Sequence, residues 1–169
     1  MNLVDEIKKS IASYAKDASL NLDNVINRST LDEVTVKGVA LASAFAAGNM
    51  DLVNIIKPFL LEEDRQAALT AASLMAMNNV WYPYVEMTGD TALKGLPAQL
   101  RMNAYANHGG TTKAKFESYA LAASIVGKCH FCVKSHYDTL QKEGLTVEQL
   151  RDIGRIAAVV TAVAKAMNG

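Results

Sequence analysis

Both cysteines of the chain lie within the stretch GKCHFCVKSHYDTL, at residues 127–140. Cys129 and Cys132 form a C-x-x-C pair, and His136 follows the second cysteine by four positions. On a helix, positions three and four apart lie on one face, so both sulfurs and the imidazole can meet. Such a group can hold a metal ion, form a structural disulfide, or cycle between dithiol and disulfide.

The predicted start of a helix at this stretch would make its thiols more reactive. If the helix begins after Gly127, Cys129 lies in its first turn, where free N–H groups and the helix dipole lower the pKa of a thiol. The His136 imidazole can take the proton of Cys132 and leave the nucleophilic thiolate. A base of this kind needs an orienting partner on its other ring nitrogen. Glu117, on the preceding predicted helix, is the candidate.

Two other interpretations of the pair stay open. A structural zinc ion needs four ligands, and the fourth would have to be His130, which points off the face that carries Cys129 and Cys132. A pair of inert thiols is the simpler alternative, because cysteine is readily buried. Polar side chains interleave with the motif and favour a partly exposed helix; they are Lys128, His130 and Lys134.

Composition restricts the class of protein and its compartment. The chain has 169 residues and no formal net charge, and half of its residues are apolar, as in a globular protein. No basic block indicates a nucleic-acid or membrane-surface partner, and no apolar run predicts a secretory leader or a membrane span. We therefore expect a cytoplasmic protein. Thiols are kept reduced there, which favours a catalytic or metal-binding pair over a permanent staple.

Apolar periodicity predicts an all-α protein with roughly seven to nine helices, forming one domain over residues 1–169. Capping boxes are predicted at two helix starts, one formed by Thr30 and Glu33 and the other by Thr146 and Gln149. Two Ala- and Ser-rich segments, VALASAFAAGN and YALAASIVGKC, both precede a glycine. Chance explains this likeness as well as duplication does.

The elements around the motif can also be placed. A helix is predicted over 113–126, followed by the motif helix from about Lys128 to Gly144, so the redox-active region spans about 113–144. The Pro- and Gly-rich residues 81–97 predict a loop, and a further helix is expected from about Ala98. The methionines of LMAMNN are predicted to fill the core.

The chain resembles the alkyl hydroperoxidase D (AhpD) family, within the wider carboxymuconolactone decarboxylase-like superfamily. The resemblance covers nearly the whole chain and includes YAKDASLNL, LASA, MNNVWY and LRMNAYAN. Its most specific part is the family's spacing of a glutamate, eleven residues, C-x-x-C, three residues and a histidine. That spacing is met in full by Glu117, Cys129, Cys132 and His136.

The resemblance implies a fold and an activity. The fold is a compact multi-helix bundle with the C-x-x-C at the start of a helix, usually assembled as a homotrimer. The activity is hydroperoxide reduction, in which Cys132 is activated through His136 and Glu117 and oxidised, and Cys129 is its resolving partner. No cofactor is tightly bound. The reducing co-substrate is dihydrolipoamide, supplied by a lipoylated dehydrogenase component, and electrons pass on to the peroxiredoxin alkyl hydroperoxide reductase C.

One departure from the family keeps other functions in view. Some members have a histidine just before the second cysteine, where this chain has Phe131, and His130 lies one position too early on the helix to replace it. A slower peroxidase, or an electron-transfer adaptor with little peroxidase activity, is the alternative that follows. A carboxymuconolactone decarboxylase-like enzyme is a further alternative, but that chemistry has no evident use for a dithiol.

Overall fold

The computed structural model describes residues 2–108 and 110–167. All regular structure within these ranges is helical, with ten α-helices and two 3-10 turns, so the all-α prediction is confirmed and the helix count is higher than predicted. The α-helices are α1 (Leu3–Lys8), α2 (Lys16–Asn27), α3 (Glu33–Ala46), α4 (Met50–Ile56), α5 (Glu62–Thr88), α6 (Thr91–Lys94), α7 (Asn103–Ala106), α8 (Lys113–Gly127), α9 (His130–Lys142) and α10 (Val147–Met167). The 3-10 turns are Ser13–Ala15 and Lys57–Phe59.

The centre of the bundle is a three-helix unit. Helices α3, α5 and α8 pack against one another, α10 packs along α2, α3 and α8, and α9 packs on α8 and α5. Small side chains let α3 and α8 approach closely: a Cβ at Gly38 would lie 2.2 Å from Cε1 of Tyr119. None of the helices in the described part of the chain has both the length and the apolar content needed to cross a membrane.

Helix α5 is longer than the sequence predicted. The loop expected over 81–97 is wrong for its first half, because α5 continues through Pro83 and ends at Thr88. Gly89 is the C-cap, and its φ of 65° is left-handed. A proline inside a helix removes one backbone hydrogen bond. Here the surrounding turn is stabilised by tertiary contact, since the Tyr82 ring stacks on Phe131 with centroids 4.4 Å apart. The helix expected from about Ala98 is reduced to the single turn of α7.

The capping predictions had different outcomes. At α10 the box forms as predicted, with Thr146 N donating to Gln149 Oε1 at 2.9 Å and Gln149 N donating to Thr146 Oγ1 at 3.2 Å. At α3 the prediction is wrong, because Asp32 is the N-cap and accepts from Thr35 N at 3.0 Å. Thr30 instead bonds a carboxylate on α10, a long-range partner that a local pattern does not show.

Candidate active site

The turn between α8 and α9 places the first cysteine. Lys128 has a φ of 55°, in the left-handed region, and its N–H donates to Ile125 O at 3.1 Å. Cys129 N then donates to Ser124 O at 3.3 Å, which closes the end of α8. Cys129 is therefore the N-cap of α9, and the helix begins at His130 rather than at Lys128 as predicted.

The C-x-x-C spacing corresponds to the spacing between an N-cap residue and the third residue of its helix. The two cysteines are joined as a disulfide, with Cα atoms 5.3 Å apart. Cys132 N donates to Cys129 Sγ at 3.3 Å, in the way that a helix amide donates to a capping side chain. Cys129 is fully buried, whereas Cys132 keeps 3% of its surface exposed.

Glu117 and His136 meet in the interior, with His136 one helical turn beyond Cys132 on α9. His136 Nδ1 lies 2.6 Å from Glu117 Oε2, and the two side chains are 7% and 3% exposed. Sequence spacing alone does not show this contact, which depends on α9 packing against α8. Burial acts to raise the pKa of Glu117, but the hydrogen bonds from His136 and Tyr105 outweigh it and lower the pKa overall. Glu117 is therefore a carboxylate that only accepts hydrogen bonds.

The second ring nitrogen of His136 points at a methionine rather than at a cysteine. Its Nε2 lies 3.1 Å from Sδ of Met75, a fully buried residue of α5. Among the described residues no hydrogen bond joins His136 to Cys132, so this disulfide form does not contain the thiol–imidazole contact that the sequence predicted. A thioether sulfur accepts hydrogen bonds and does not donate them, so the contact is favourable when Nε2 carries a proton.

Tyr105 completes the group, and sequence reasoning missed it. Its hydroxyl donates to Glu117 Oε1, and its ring lies over the imidazole of His136 with centroids 6.2 Å apart. Burial and the adjacent carboxylate both raise the pKa of Tyr105. The family-like run LRMNAYAN contained this residue without indicating a role for it. Met75 was likewise predicted only as core filler, and no signal in the local sequence distinguishes it from its neighbours.

His130 and Phe131 lie on the outer side of the motif. His130 Nδ1 is 3.1 Å from Glu86 Oε1, and the His130 side chain is 81% exposed. Phe131 is 57% exposed and stacks on Tyr82. His130 therefore points away from the buried pair, as the helix geometry predicted. In the described part of the chain no group of three or more His, Cys, Asp or Glu side chains is arranged to hold a metal ion.

Comparison with known proteins decides the family. Alkyl hydroperoxide reductase AhpD of Rhodospirillum centenum is 38% identical over 169 residues, which cover 98% of this chain and 90% of the relative. The AhpD proteins of Coxiella burnetii and Maricaulis maris are 39% and 40% identical, covering 96% and 95% of this chain and the same shares of those relatives. The chain belongs to the AhpD family. Residues 92–169 also match the carboxymuconolactone decarboxylase family.

The AhpD assignment confirms the resemblance inferred from the glutamate-to-histidine spacing. It also agrees with the fold, a compact helical bundle in which the cysteine pair lies at the start of a helix. The relatives bear the name alkyl hydroperoxide reductase, and this AhpD chain has a disulfide-forming pair of the kind that a thiol-based activity requires. The family relationship thus supports an activity related to alkyl hydroperoxide reduction.

Proposed function

We propose that this AhpD protein is a thiol peroxidase that reduces hydroperoxides through a Cys129/Cys132 dithiol–disulfide cycle. The supporting observation is the cysteine pair at the start of α9, beside the buried pair formed by Glu117 and His136. The Cys132 thiolate attacks the terminal oxygen of the hydroperoxide. The O–O bond breaks, Cys132 becomes a sulfenic acid, and the alkoxide takes a proton to leave as an alcohol.

The remaining steps return the pair to its starting state. The Cys129 thiolate attacks the sulfenic sulfur of Cys132, the S–S bond forms, and hydroxide leaves and is protonated to water. Dihydrolipoamide then reduces the disulfide by two successive exchanges. Two electrons and two protons pass to the cysteines, and the donor becomes the cyclic disulfide lipoamide. No tightly bound cofactor takes part in this cycle.

His136 acts as the base in this proposal. Its Nδ1 donates to Glu117, so its Nε2 is the nitrogen that receives the proton of Cys132. In the disulfide form no thiol proton is left to accept, and Nε2 lies 3.1 Å from Met75 Sδ. His136 and Cys132 are one helical turn apart on α9, so a change of side-chain rotamer brings them together when the disulfide opens.

A peroxide-consumption assay tests this function. The protein should consume cumene hydroperoxide with dihydrolipoamide as the donor, and faster than with glutathione or dithiothreitol at equal thiol concentration. C132S and C129S should each remove turnover, and C129S should still accumulate a sulfenic acid that dimedone traps. Undiminished turnover in C132S would contradict the assignment.

An electron-transfer adaptor is the second candidate, favoured by Phe131. This exposed aromatic ring stands where some AhpD members have a histidine, so proton delivery to the peroxide is less well provided for. In this role a lipoylated dehydrogenase component donates electrons, and the protein passes them to the peroxiredoxin alkyl hydroperoxide reductase C through a transient disulfide. Turnover that requires the added peroxiredoxin would favour the adaptor, whereas equal turnover without it would favour the peroxidase.

We further propose a homotrimer whose contact includes the second half of α5. Four apolar side chains follow one face of this helix at spacings of three, four and three; they are Met77, Val80, Tyr84 and Met87. They are 37%, 71%, 49% and 79% exposed in the single chain. An exposed apolar stripe of this kind supports such a contact. Light scattering should report three copies per particle, and V80E should shift the mass toward the monomer.

A further inference from the structure

Tyr105 belongs to the short helix α7, which packs on α5. Its ring is held on two sides, because it meets Phe116 edge-on at a centroid distance of 5.3 Å and lies over His136 at an interplanar angle of 28°. This packing aims the Tyr105 hydroxyl at Glu117. The hydroxyl therefore has a fixed position relative to the carboxylate.

The two oxygens of Glu117 have different partners. Oε2 faces His136 Nδ1 at 2.6 Å, and Oε1 accepts from the Tyr105 hydroxyl. A buried carboxylate with one partner can rotate about its last bond or bind a proton itself, whereas one with a donor on each oxygen is restricted in both respects. Lys113 is the remaining charged group that lowers the pKa of Glu117.

We propose that Tyr105 is a positioning residue for the proposed base His136, acting through Glu117. By occupying Oε1, Tyr105 keeps Oε2 directed at Nδ1 and keeps the carboxylate ionised. The imidazole then donates from Nδ1 and presents Nε2 to Cys132. This inference rests on the proposed roles of Glu117 and His136, and it adds a third residue, from a different helix, to them.

The Tyr105 hydroxyl acts as a hydrogen-bond donor and not as an acid. Burial and the neighbouring carboxylate raise its pKa, so it stays protonated throughout the range in which a peroxidase works. Its hydrogen bond is directed to Glu117. A change at Tyr105 should therefore alter how readily Cys132 loses its proton, while leaving the order of the chemical steps unchanged.

The test compares two tyrosine hydroxyls that each donate to a buried carboxylate. In the C129S background, the rate of iodoacetamide labelling at Cys132 is measured against pH. Y105F removes the hydroxyl and keeps the ring, and we expect the midpoint to rise by about 0.5 pH unit, a roughly threefold loss of thiolate below the midpoint. Y119F is the matched control, because the Tyr119 hydroxyl also donates to a buried carboxylate, Asp64 Oδ1, at 3.4 Å. Y119F should leave the midpoint unchanged.

E117Q separates failure of this inference from failure of the proposed function. An unchanged midpoint in E117Q would overturn the role of Glu117 itself. A raised midpoint in E117Q, with Y105F matching the parent and Y119F, would overturn only the role of Tyr105. A midpoint that falls in Y105F would also overturn it, since the hydroxyl would then be weakening the base.

Two additional variants make the result decisive. The double variant Y105F/E117Q should show no larger shift than E117Q alone, because both changes act on the same hydrogen-bonded group. Placing 4-aminophenylalanine at position 105 keeps a donor at the tip of the ring and should restore the parent midpoint. If that residue behaves as phenylalanine does, the hydrogen bond is not what matters and the inference is wrong.

Discussion

The helix pairs α3–α4 and α8–α9 are built alike, yet only the second carries reactive side chains. Each pair starts with an N-cap side chain that accepts from the third residue of its helix: Asp32 from Thr35 N at 3.0 Å, and Thr112 from Lys115 N at 3.3 Å. The first helix of each pair, α3 or α8, is rich in small buried residues and packs on both α5 and α10. The two Ala- and Ser-rich segments noted in the sequence are the second halves of these helices.

The likeness extends through the turn. A left-handed residue follows the first helix in both pairs: Gly48, two positions after α3, has a φ of 77°, and Lys128, directly after α8, has a φ of 55°. The next residue caps the second helix: Asn49 Oδ1 accepts from Leu52 N at 2.9 Å, and Cys129 Sγ accepts from the corresponding amide at 3.3 Å. The turn thus places a side-chain acceptor over a helix amide whether or not chemistry follows.

The difference lies in the residues that surround the turn. Leu52 stands where the reactive pair has Cys132, and the fully buried Ile56 stands where it has His136. In the α3–α4 pair, the position that corresponds to Glu117 is Lys37, which pairs with an exposed glutamate. The capped turn by itself is therefore a structural feature and not a sign of chemistry. Its conversion into a candidate active site requires the second thiol and the buried acid–imidazole pair together.

The largest effect is expected when the reactive turn is made to resemble the plain one. Cys129→Asn combined with Cys132→Ala restores the cap seen at Asn49 and removes both thiols. Peroxide consumption with dihydrolipoamide should fall by about 10³-fold or more, because no nucleophile remains. Circular dichroism should still show a helical protein. Residual turnover near the parent level would mean that the chemistry lies elsewhere.

The reverse change tests whether the turn is sufficient. In a C129S/C132S background, N49C with L52C places two thiols in the α3–α4 turn. Mild oxidation should join them, since the backbone geometry is shared. The pH midpoint of alkylation should nevertheless stay about one unit or more above that of the native pair, because no carboxylate or imidazole supports the thiolate. Equal midpoints would show that the turn alone activates a thiol.

The plain turn should matter more for stability. Asn49 caps α4 and also donates from Nδ2 to Ala164 O on α10 at 2.8 Å, so it ties two helices together. N49A should lower the free energy of unfolding by about 2 kcal/mol, measured in urea. C129S, which keeps a capping side chain, should cost less than 1 kcal/mol under reducing conditions, about the value of a modest cap change. A larger loss in C129S than in N49A would contradict the comparison.

Local spacing made half of the candidate site predictable. Cys132 and His136 share α9 and Cys129 is its N-cap, so their relation follows from helical periodicity. Glu117 was proposed from the preceding predicted helix and from the family's spacing. Tyr105 and Met75 come from other helices, and only the packing of α5 and α7 on α8 and α9 brings them to the imidazole. No periodicity within either segment contains that information.

The errors in the fold have the same origin. Pro83 and Gly89 indicated a loop, but the stacking of Tyr82 on Phe131 helps hold the intervening turn in α5. Thr30 was assigned to a capping box, but its N–H and hydroxyl donate instead to the Asp152 carboxylate on α10. At Thr146 no such distant partner competes among the described residues, and the box forms. Prediction therefore succeeded where partners are close in sequence and failed where a distant side chain competes.

The loops before the helix pairs α3–α4 and α8–α9 are held by different contacts. The contact before α3 predicts that the stability of the fold depends on pH. Asp152 accepts from Thr30 N at 2.8 Å and Thr30 Oγ1 at 2.9 Å, and pairs with Arg151 and Arg155. Burial acts to raise the pKa of Asp152, but the hydrogen bonds from Thr30 and the arginines lower it from 3.8 to about 2. The lowered pKa means that Asp152 stabilises the fold fully above about pH 4, and that this contribution is lost as the pH falls toward 2.

The measurement is the free energy of unfolding between pH 5 and pH 2. D152N should be less stable at pH 5 by roughly 1–2 kcal/mol, a range that allows for solvent screening of the half-exposed arginines. The difference between D152N and the parent should shrink as the pH falls. The loop before α8 is held by a different contact, in which Thr111 Oγ1 donates to Asp64 Oδ1. D152N therefore leaves the contact before the reactive helix pair α8–α9 in place. A constant difference across this range would refute the pH argument.

The smallest effect is expected at Met75, whose sulfur faces the imidazole of His136. The α3–α4 pair has Ile56 in place of that imidazole and therefore has no such contact. The sulfur can accept from Nε2 when that nitrogen carries a proton, so we expect it to stabilise the imidazolium that forms when Cys132 loses its proton. M75L keeps the volume and removes the acceptor, and in the C129S background it should raise the alkylation midpoint by about 0.3 pH unit. M77L, on an exposed position of the same helix, should not change the midpoint. A lower midpoint in M75L would mean that the thioether opposes proton transfer to His136, and the contact seen in the disulfide form would then hinder the base rather than assist it.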